Sequence, residues 1–443
     1  MQVKNDEKLN KGLLFILFLS TGLMVAGLSY SICQYAALGI LSLYILFSDK
    51  SRILQILAYI GIFAPIFKTD PDGFAFINLI LLVAAGKMVV FDKEGFSISF
   101  RQGIWISLLI TVCVMSIGYM DFDDILLLAV SLIIMLCLLK GSDKIEYHNV
   151  LVVFSIAIII SSFLGFFMEN IPNLDRYVHY GSIRVVKTGD LTERFGGLQS
   201  NPNHYTIDLS IAIAALLGYN MTTKFRKLDV VLMGTMAVFG FMSVSKSFVL
   251  SALIMLFFAL YFQSKYSIKK TFVSILTIGV SIFILYLFIK ETEFFTALMK
   301  RLEFDQFTTI GSFTTGRSEI WKIYFDVITE DIKILLIGAG INVGNYRGLA
   351  THNFFIEIIY HLGIVGTFCY YKALKSTMPR IKSKSSNKVG YVVWVVFLVR
   401  TMAANFFFKE MLFLYFVLSY LAVYKFGERN EQNCEKESSN GCV

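Results

Sequence analysis

Apolar runs, each close to the length of a bilayer crossing, alternate with short polar turns along most of this chain. Stretches such as 13–28 and 391–398 are apolar on every side, not at every second position. Strict alternation would suit a transmembrane β-barrel, so the pattern predicts helices. A helix needs roughly 20 residues, at about 1.5 Å each, to cross a hydrocarbon core of about 30 Å. On that ruler spans fall near 13–30, 32–48, 52–68, 73–90, 103–119, 122–139, 149–168, 204–220, 228–244, 246–263, 270–289, 352–373, 389–405 and 409–425. The expected fold class is all-α: a polytopic transmembrane helical bundle of about 14 spans, with a range of about 12–14. Stretches 13–48 and 228–263 each hold two spans with almost no turn between them, which leaves merged or re-entrant helices open.

Charge sets the expected orientation. With Lys4, Lys8 and Lys11 placed inside, alternation puts Lys50/Arg52, Lys93/Arg101, Lys140/Lys144, Lys224/Arg226/Lys227 and Lys265/Lys269/Lys270 inside as well. The loop 371–390, with Lys372, Lys375, Arg380, Lys382, Lys384 and Lys388, also falls inside. Both termini are then cytoplasmic, and the two long polar loops, 169–203 and 290–351, face outward. The expected division is 1–168 N-terminal transmembrane bundle, 169–203 external loop, 204–289 central helices, 290–351 large external loop, 352–425 C-terminal helices and 426–443 cytoplasmic polar tail.

Composition agrees. Of 443 residues 56% are hydrophobic and 16% charged, and the mean hydropathy is +0.67. That is too apolar for a soluble protein of this size. The net charge of +8 reads as loop bias, not as a nucleic-acid footprint. The six cysteines are scattered without metal-ligand spacing, and no metal is expected. No clear small-residue cleavage site follows the first apolar run, so that run is read as a retained span.

The outward loops carry the chemistry. In 290–351, Thr315 or Gly316 can cap a helix with Glu319 in its first turn. Ile320, Ile323, Tyr324, Val327 and Ile328 recur at helical spacing, with Trp321 beside them. Such a helix would lie apolar side down on the outer membrane face, Trp321 at headgroup depth, or would pack on other loops. Arg317 stands at its N-terminal end. Two further helix starts face outward: Asn201-Pro202-Asn203, where Asn201 can cap and Pro202 suits the first helical position, and Thr351-His352-Asn353. Helix N-termini attract anions, and arginine binds phosphate oxygens in a fixed fork. Two such mouths beside arginine loops would suit a diphosphate. Asp208 and Arg400 lie within spans, where a charge is costly and usually has a partner or a cavity; they could pair with each other. The acidic pairs Asp70/Asp72 and Asp121/Asp123 are common turn spacings, and Gly338-Ala339-Gly340 is too short for a nucleotide loop.

At these positions the chain resembles the bacterial O-antigen ligase and Wzy-type O-antigen or capsule polymerase superfamily. The matching pieces are Arg194-Phe195-Gly196-Gly197-Leu198-Gln199-Ser200-Asn201-Pro202-Asn203, Thr315-Gly316-Arg317-Ser318-Glu319-Ile320-Trp321, Gly338-Ala339-Gly340, and His352-Asn353-Phe354-Phe355-Ile356-Glu357 with Gly363-Ile364-Val365-Gly366. Ser245-Lys246-Ser247 resembles a family position where serine and arginine are usual, and lysine there is a departure. The likeness covers roughly 190–370 by motif. It implies a GT-C-type membrane glycosyltransferase in the bacterial cytoplasmic (inner) membrane. Donor and acceptor would be glycans on undecaprenyl diphosphate, taken at the outer, periplasmic or exterior, face. Arg194 and Arg317 would hold the departing diphosphate, and His352 would orient or deprotonate the acceptor hydroxyl, as an imidazole with a pKa near about 6.5 can. Asn201, Asn203, Asn353, Lys246, Arg347 and Arg184 would bind substrate. The donor is already activated, so no cofactor is required. Membrane lipids, a chain-length regulator and a flippase would be partners.

The long outer loops carrying arginine lean toward a polymerase joining repeat units. A ligase, passing finished glycan to lipid A core or to protein, shares the same motifs. A lipid-linked oligosaccharide flippase is the rival of a different class. It would gather its cations in a cavity among the spans and keep its loops short.

Overall fold

The computed structural model describes residues 9–71, 73–91, 98–115, 122–178, 183–185, 191–199, 201–223, 226–266, 317–340, 346–378, 388–402 and 412–440, with scattered positions in 268–299. The span expected at 270–289, the cap at Thr315 or Gly316, and the acidic positions Asp72 and Asp121 lie outside them, wholly or for the most part. The described residues are predominantly helical: α1 (Lys11–Gly27), α2 (Ser31–Leu46), α3 (Lys50–Phe63), α4 (Phe76–Val90), α5 (Phe100–Met115), α6 (Phe122–Lys140), α7 (Tyr147–Phe166), α8 (Leu174–Tyr177), α9 (Pro202–Thr222), α10 (Lys227–Met242), α11 (Lys246–Tyr266), α12 (Arg317–Glu330), α13 (Ile332–Ile337), α14 (Phe354–Thr377), α15 (Tyr391–Thr401) and α16 (Leu412–Asn440). One feature departs from an all-helical chain. Strands β1 (Ile183–Val185) and β2 (Leu191–Glu193) form a short antiparallel pair, Arg184 opposite Thr192.

Tyr147–Phe166, Lys246–Ser264 and Phe354–Ser376 are long and apolar enough to cross a membrane; other apolar helices, of 10–17 residues, are shorter. The chain is membrane-associated. The faces it leaves open are those lipid would cover: Leu250, Leu253, Phe257 and Tyr261 on α11, and Phe15, Phe18 and Leu19 on α1 are all exposed. The closely spaced pairs are not merged into single helices. Leu28, Ser29 and Tyr30 separate α1 from α2, and Ser243, Val244 and Ser245 separate α10 from α11.

The chain folds as two compact units. The first holds Met1–Val153, Thr308–Lys382 and Thr401–Leu421; the second holds Phe154–Phe307, Ser383–Arg400 and Ala422–Val443. In the first unit α1 pairs with α2, α2 and α6 flank α4, and α14 packs along α5 and α13. Buried polar groups tie these helices. The Thr21 and Tyr59 hydroxyls are hydrogen bonded at 2.9 Å, and Gln34 Nε2 donates to the carbonyls of Met24 and Ile66. In the second unit α9 packs on α10 and α11.

The helix α14 is broken. Gly363 has φ 64° and ψ −176°, outside the helical region. A break strands carbonyls that would otherwise accept from the next turn, and in an apolar setting each needs another donor. Gly338-Ala339-Gly340 supplies them: the Ala339 amide donates to Tyr360 O at 2.8 Å and the Gly340 amide to His361 O at 3.1 Å. In return, His361 Nδ1 hydrogen bonds to Gly340 O at 2.7 Å. A carbonyl only accepts, so Nδ1 carries the proton. Glycine is required on both sides of the contact. A Cβ on Gly338 would lie 2.1 Å from His361 O, and one on Gly363 would lie 2.4 Å from the Leu336 carbonyl carbon. The short glycine run thus patches a broken helix.

Candidate active site

In the first unit the site is built on α12 and the segment leading into α14. The apolar stripe of α12 is buried against α14: Tyr324 and Ile328 form a core cluster with Ile356 and Tyr360, and Ile320, Trp321 and Val327 pack on it. Of the two placements open to this helix, packing on other protein segments is the one found. Three hydrogen bonds then staple residues 346–351 to α12. Tyr324 OH donates to Leu349 O at 2.7 Å and accepts from the Tyr346 amide at 2.8 Å, and Trp321 Nε1 donates to Thr351 O at 2.8 Å. Burial, the largest cause, pushes the Tyr324 phenol up to about 12, with the Tyr346 amide pulling the other way. The hydroxyl is therefore neutral and keeps the proton it donates.

This arrangement fixes His352. The preceding residue, Thr351, is buried and bonded to Trp321. The following residue, Asn353, caps α14: its Oδ1 accepts from the Phe355 and Ile356 amides at 3.0 and 3.3 Å. Between these anchors the His352 backbone sits at φ 49°, a left-handed conformation that histidine tolerates better than most residues. His352 as a whole is half-buried. Arg317 is the first residue of α12, one helical turn before Trp321. Arg317 and His352 thus belong to one local assembly. Arg347, also left-handed at φ 51°, is exposed with its guanidinium over the Tyr346 ring at 5.1 Å. The Oδ1 of Asn353, a candidate substrate-binding residue, is engaged in the cap.

The second unit holds Arg194, Asn201, Asn203, Lys246 and Arg184. Asn201 caps α9 as expected, its Oδ1 accepting from the Asn203 amide at 3.0 Å, with Pro202 in the first turn. Arg194 is only 3% exposed. Its Nε donates to Ser243 O at 3.2 Å and its Nη2 to Asn203 Oδ1 at 3.3 Å. The residues after it are locked by aromatic contacts and by glycine. Phe195 packs on Tyr205 and Phe239. Gly197, at φ 57°, lies where a Cβ would meet the Tyr205 ring at 2.8 Å; a Cβ on Gly165 of α7 would meet the Gly197 backbone at 2.6 Å. Lys246 opens α11, half-buried, and Arg184 lies in β1.

The two hydroxyls of the Ser245-Lys246-Ser247 motif, with that of Thr206, complete this second cluster. Asn203 Oδ1 also accepts from Ser245 Oγ at 3.1 Å, and the Ser245 and Ser247 hydroxyls are bonded at 3.0 Å. Arg400, fully buried, donates from Nη1 to Ser247 Oγ at 2.5 Å, and from Nη2 to Asn203 O at 2.6 Å and Thr206 Oγ1 at 2.5 Å. Val244, in the turn between α10 and α11, has φ 49°. For a β-branched residue that conformation is an outlier and costs about 1–3 kcal/mol. Among the described residues Asn173, Val244, Arg347 and His352 are the non-glycine positions with positive φ. Two of these four, Arg347 and His352, are candidate residues, and Val244 lies two positions before a third, Lys246; such strain collects at functional sites.

No metal-binding group of three or more His, Cys, Asp or Glu side chains occurs among the described residues. No family model, curated protein or solved structure matches this chain.

Proposed function

We propose that this chain is a multi-pass membrane glycosyltransferase of the polymerase kind. It would join oligosaccharide repeat units carried on undecaprenyl diphosphate at the outer face of the bacterial cytoplasmic membrane. The observation that supports this most is the Trp321–Thr351 hydrogen bond. It ties the helix opened by Arg317 to the residue before His352, which supports reading the cation and the imidazole as parts of one site. In the reaction, the acceptor sugar hydroxyl oxygen bonds to the donor's anomeric carbon. The bond from that carbon to the diphosphate oxygen breaks, and its electron pair leaves with the carrier lipid. His352 takes the hydroxyl proton, and Arg317 offsets the charge that gathers on the departing diphosphate. The donor's own activation supplies the driving force.

One observation favours a second reading. Arg194 and Arg400 are both buried among hydroxyl and carbonyl oxygens, as a flippase would arrange its cations. The lipid-linked glycan profile of a strain lacking the protein separates the readings. Single repeats transferred onward without long chains mean a polymerase. Long chains left on the carrier mean a ligase. Repeats that fail to reach the outer leaflet mean a flippase.

A further inference from the structure

Arg400 lies far along the chain from the motifs of the site, yet its guanidinium enters the second cluster. It bonds to the first turn of α9 through Asn203 O and Thr206 Oγ1, and to α11 through Ser247 Oγ. Arg194 bonds to the side-chain oxygen of the same asparagine and to the carbonyl of Ser243. The two arginines therefore hold opposite ends of the turn 243–247, whose second residue is the strained Val244. A β-branched residue stays at positive φ only where its surroundings over-determine it, and here one guanidinium fixes the residue before Val244 while the other fixes the segment after it. Ser245, bonded to Asn203 Oδ1 and to Ser247, closes the circuit.

We propose that Arg400 is a positioning residue. It holds the 243–247 turn and the α9 mouth in the one arrangement that orients Arg194 and presents Lys246 toward the diphosphate of the donor. This rests on the glycosyltransferase reading for the identity of the anion. The holding of the turn stands on the geometry alone.

The test uses purified full-length protein with a lipid-linked repeat unit as donor. Its variants are Arg400→Met, Arg400→Lys, Val244→Gly and the double variant Arg400→Met/Val244→Gly. Glycine takes positive φ without strain, so the turn then no longer needs holding. Arg400→Met is expected to raise the donor KM roughly tenfold, the loss of about one charge-assisted hydrogen bond. Lysine should restore part of it, and the rise should shrink below about threefold in the Val244→Gly background. A mere loss of folded protein would lower kcat per mole and leave KM unchanged, and that result overturns the proposal. So does the same tenfold rise in both backgrounds. Thermal midpoints of the same variants read the coupling without any glycan. Non-additive midpoints support the holding of the turn, and additive ones refute it. A wild-type protein that transfers no glycan while its midpoints remain non-additive strikes the proposed function alone.

Discussion

Replacing Trp321 by phenylalanine isolates the bond on which the His352 assembly depends. Phenylalanine keeps most of the ring packed against Tyr324, Ile328, Ile356 and Tyr360 but removes the indole N–H that reaches Thr351 O at 2.8 Å. A neutral hydrogen bond contributes about 0.5–1.5 kcal/mol net, and more where water cannot replace the lost donor. Thr351 is 1% exposed, which puts the cost at about 1–2 kcal/mol. At about 1.4 kcal/mol per factor of ten, the segment entering α14 should open roughly five- to thirtyfold more often. Hydrogen exchange on peptides covering 346–353, in detergent, reads this directly, with the second half of α14 as an internal control. Faster exchange confined to 346–353 is the expected result. Unchanged exchange there, in a protein whose fold is intact, would refute the claim that Trp321 holds the histidine segment.

The remaining predictions are local. Alanine at Gly338 or Gly363 should cost about 2–5 kcal/mol, because positive φ and a backbone collision add. Alanine at Gly348, at φ 73° with nothing within 4 Å of its Cβ, should cost only about 1–2 kcal/mol; equal thermal shifts for all three would contradict the helix-patching role of the glycine run. Asn353→Ala should lower stability by about 1 kcal/mol while Asn353→Asp holds it, since either oxygen can cap α14. The raised Tyr324 pKa carries a pH signature. Its stabilising contribution is complete below the unfolded value of 10 and is lost as pH rises from there through about 12. Tyr324→Phe should flatten that part of the alkaline unfolding curve, and an unchanged curve would mean the phenol is not buried as described.

How much of this was legible beforehand differs by feature. Helices could be placed because each long apolar run must satisfy its own backbone, and the Asn201-Pro202 and Asn353 starts follow from short-range capping chemistry. The stripe on α12 was equally plain, since its period is a property of the helix alone. What covers that stripe was not, because Tyr360 and Ile356 are distant in sequence. The same holds for Gly338-Ala339-Gly340. Its glycines are visible, but their purpose depends on a break at Gly363 that no neighbouring residue announces. The β1–β2 pair did leave a trace, in β-branched positions on either side of Gly189-Asp190, which a search for helical spans overlooks. Sequence alone makes Arg400 a candidate partner of Asp208. Its bonds to Asn203, Thr206 and Ser247 join residues from three elements, and only the folded chain brings these together.

The most direct test of the central claim is transfer by the purified protein in liposomes, supplied only with undecaprenyl-diphosphate-linked repeat units. The account predicts chains longer than one repeat, with undecaprenyl diphosphate released in step. It also predicts loss of both products in Arg317→Ala and His352→Ala variants that still insert and melt normally. Undiminished chain growth in either variant, or no release of carrier by the unaltered protein, would contradict it.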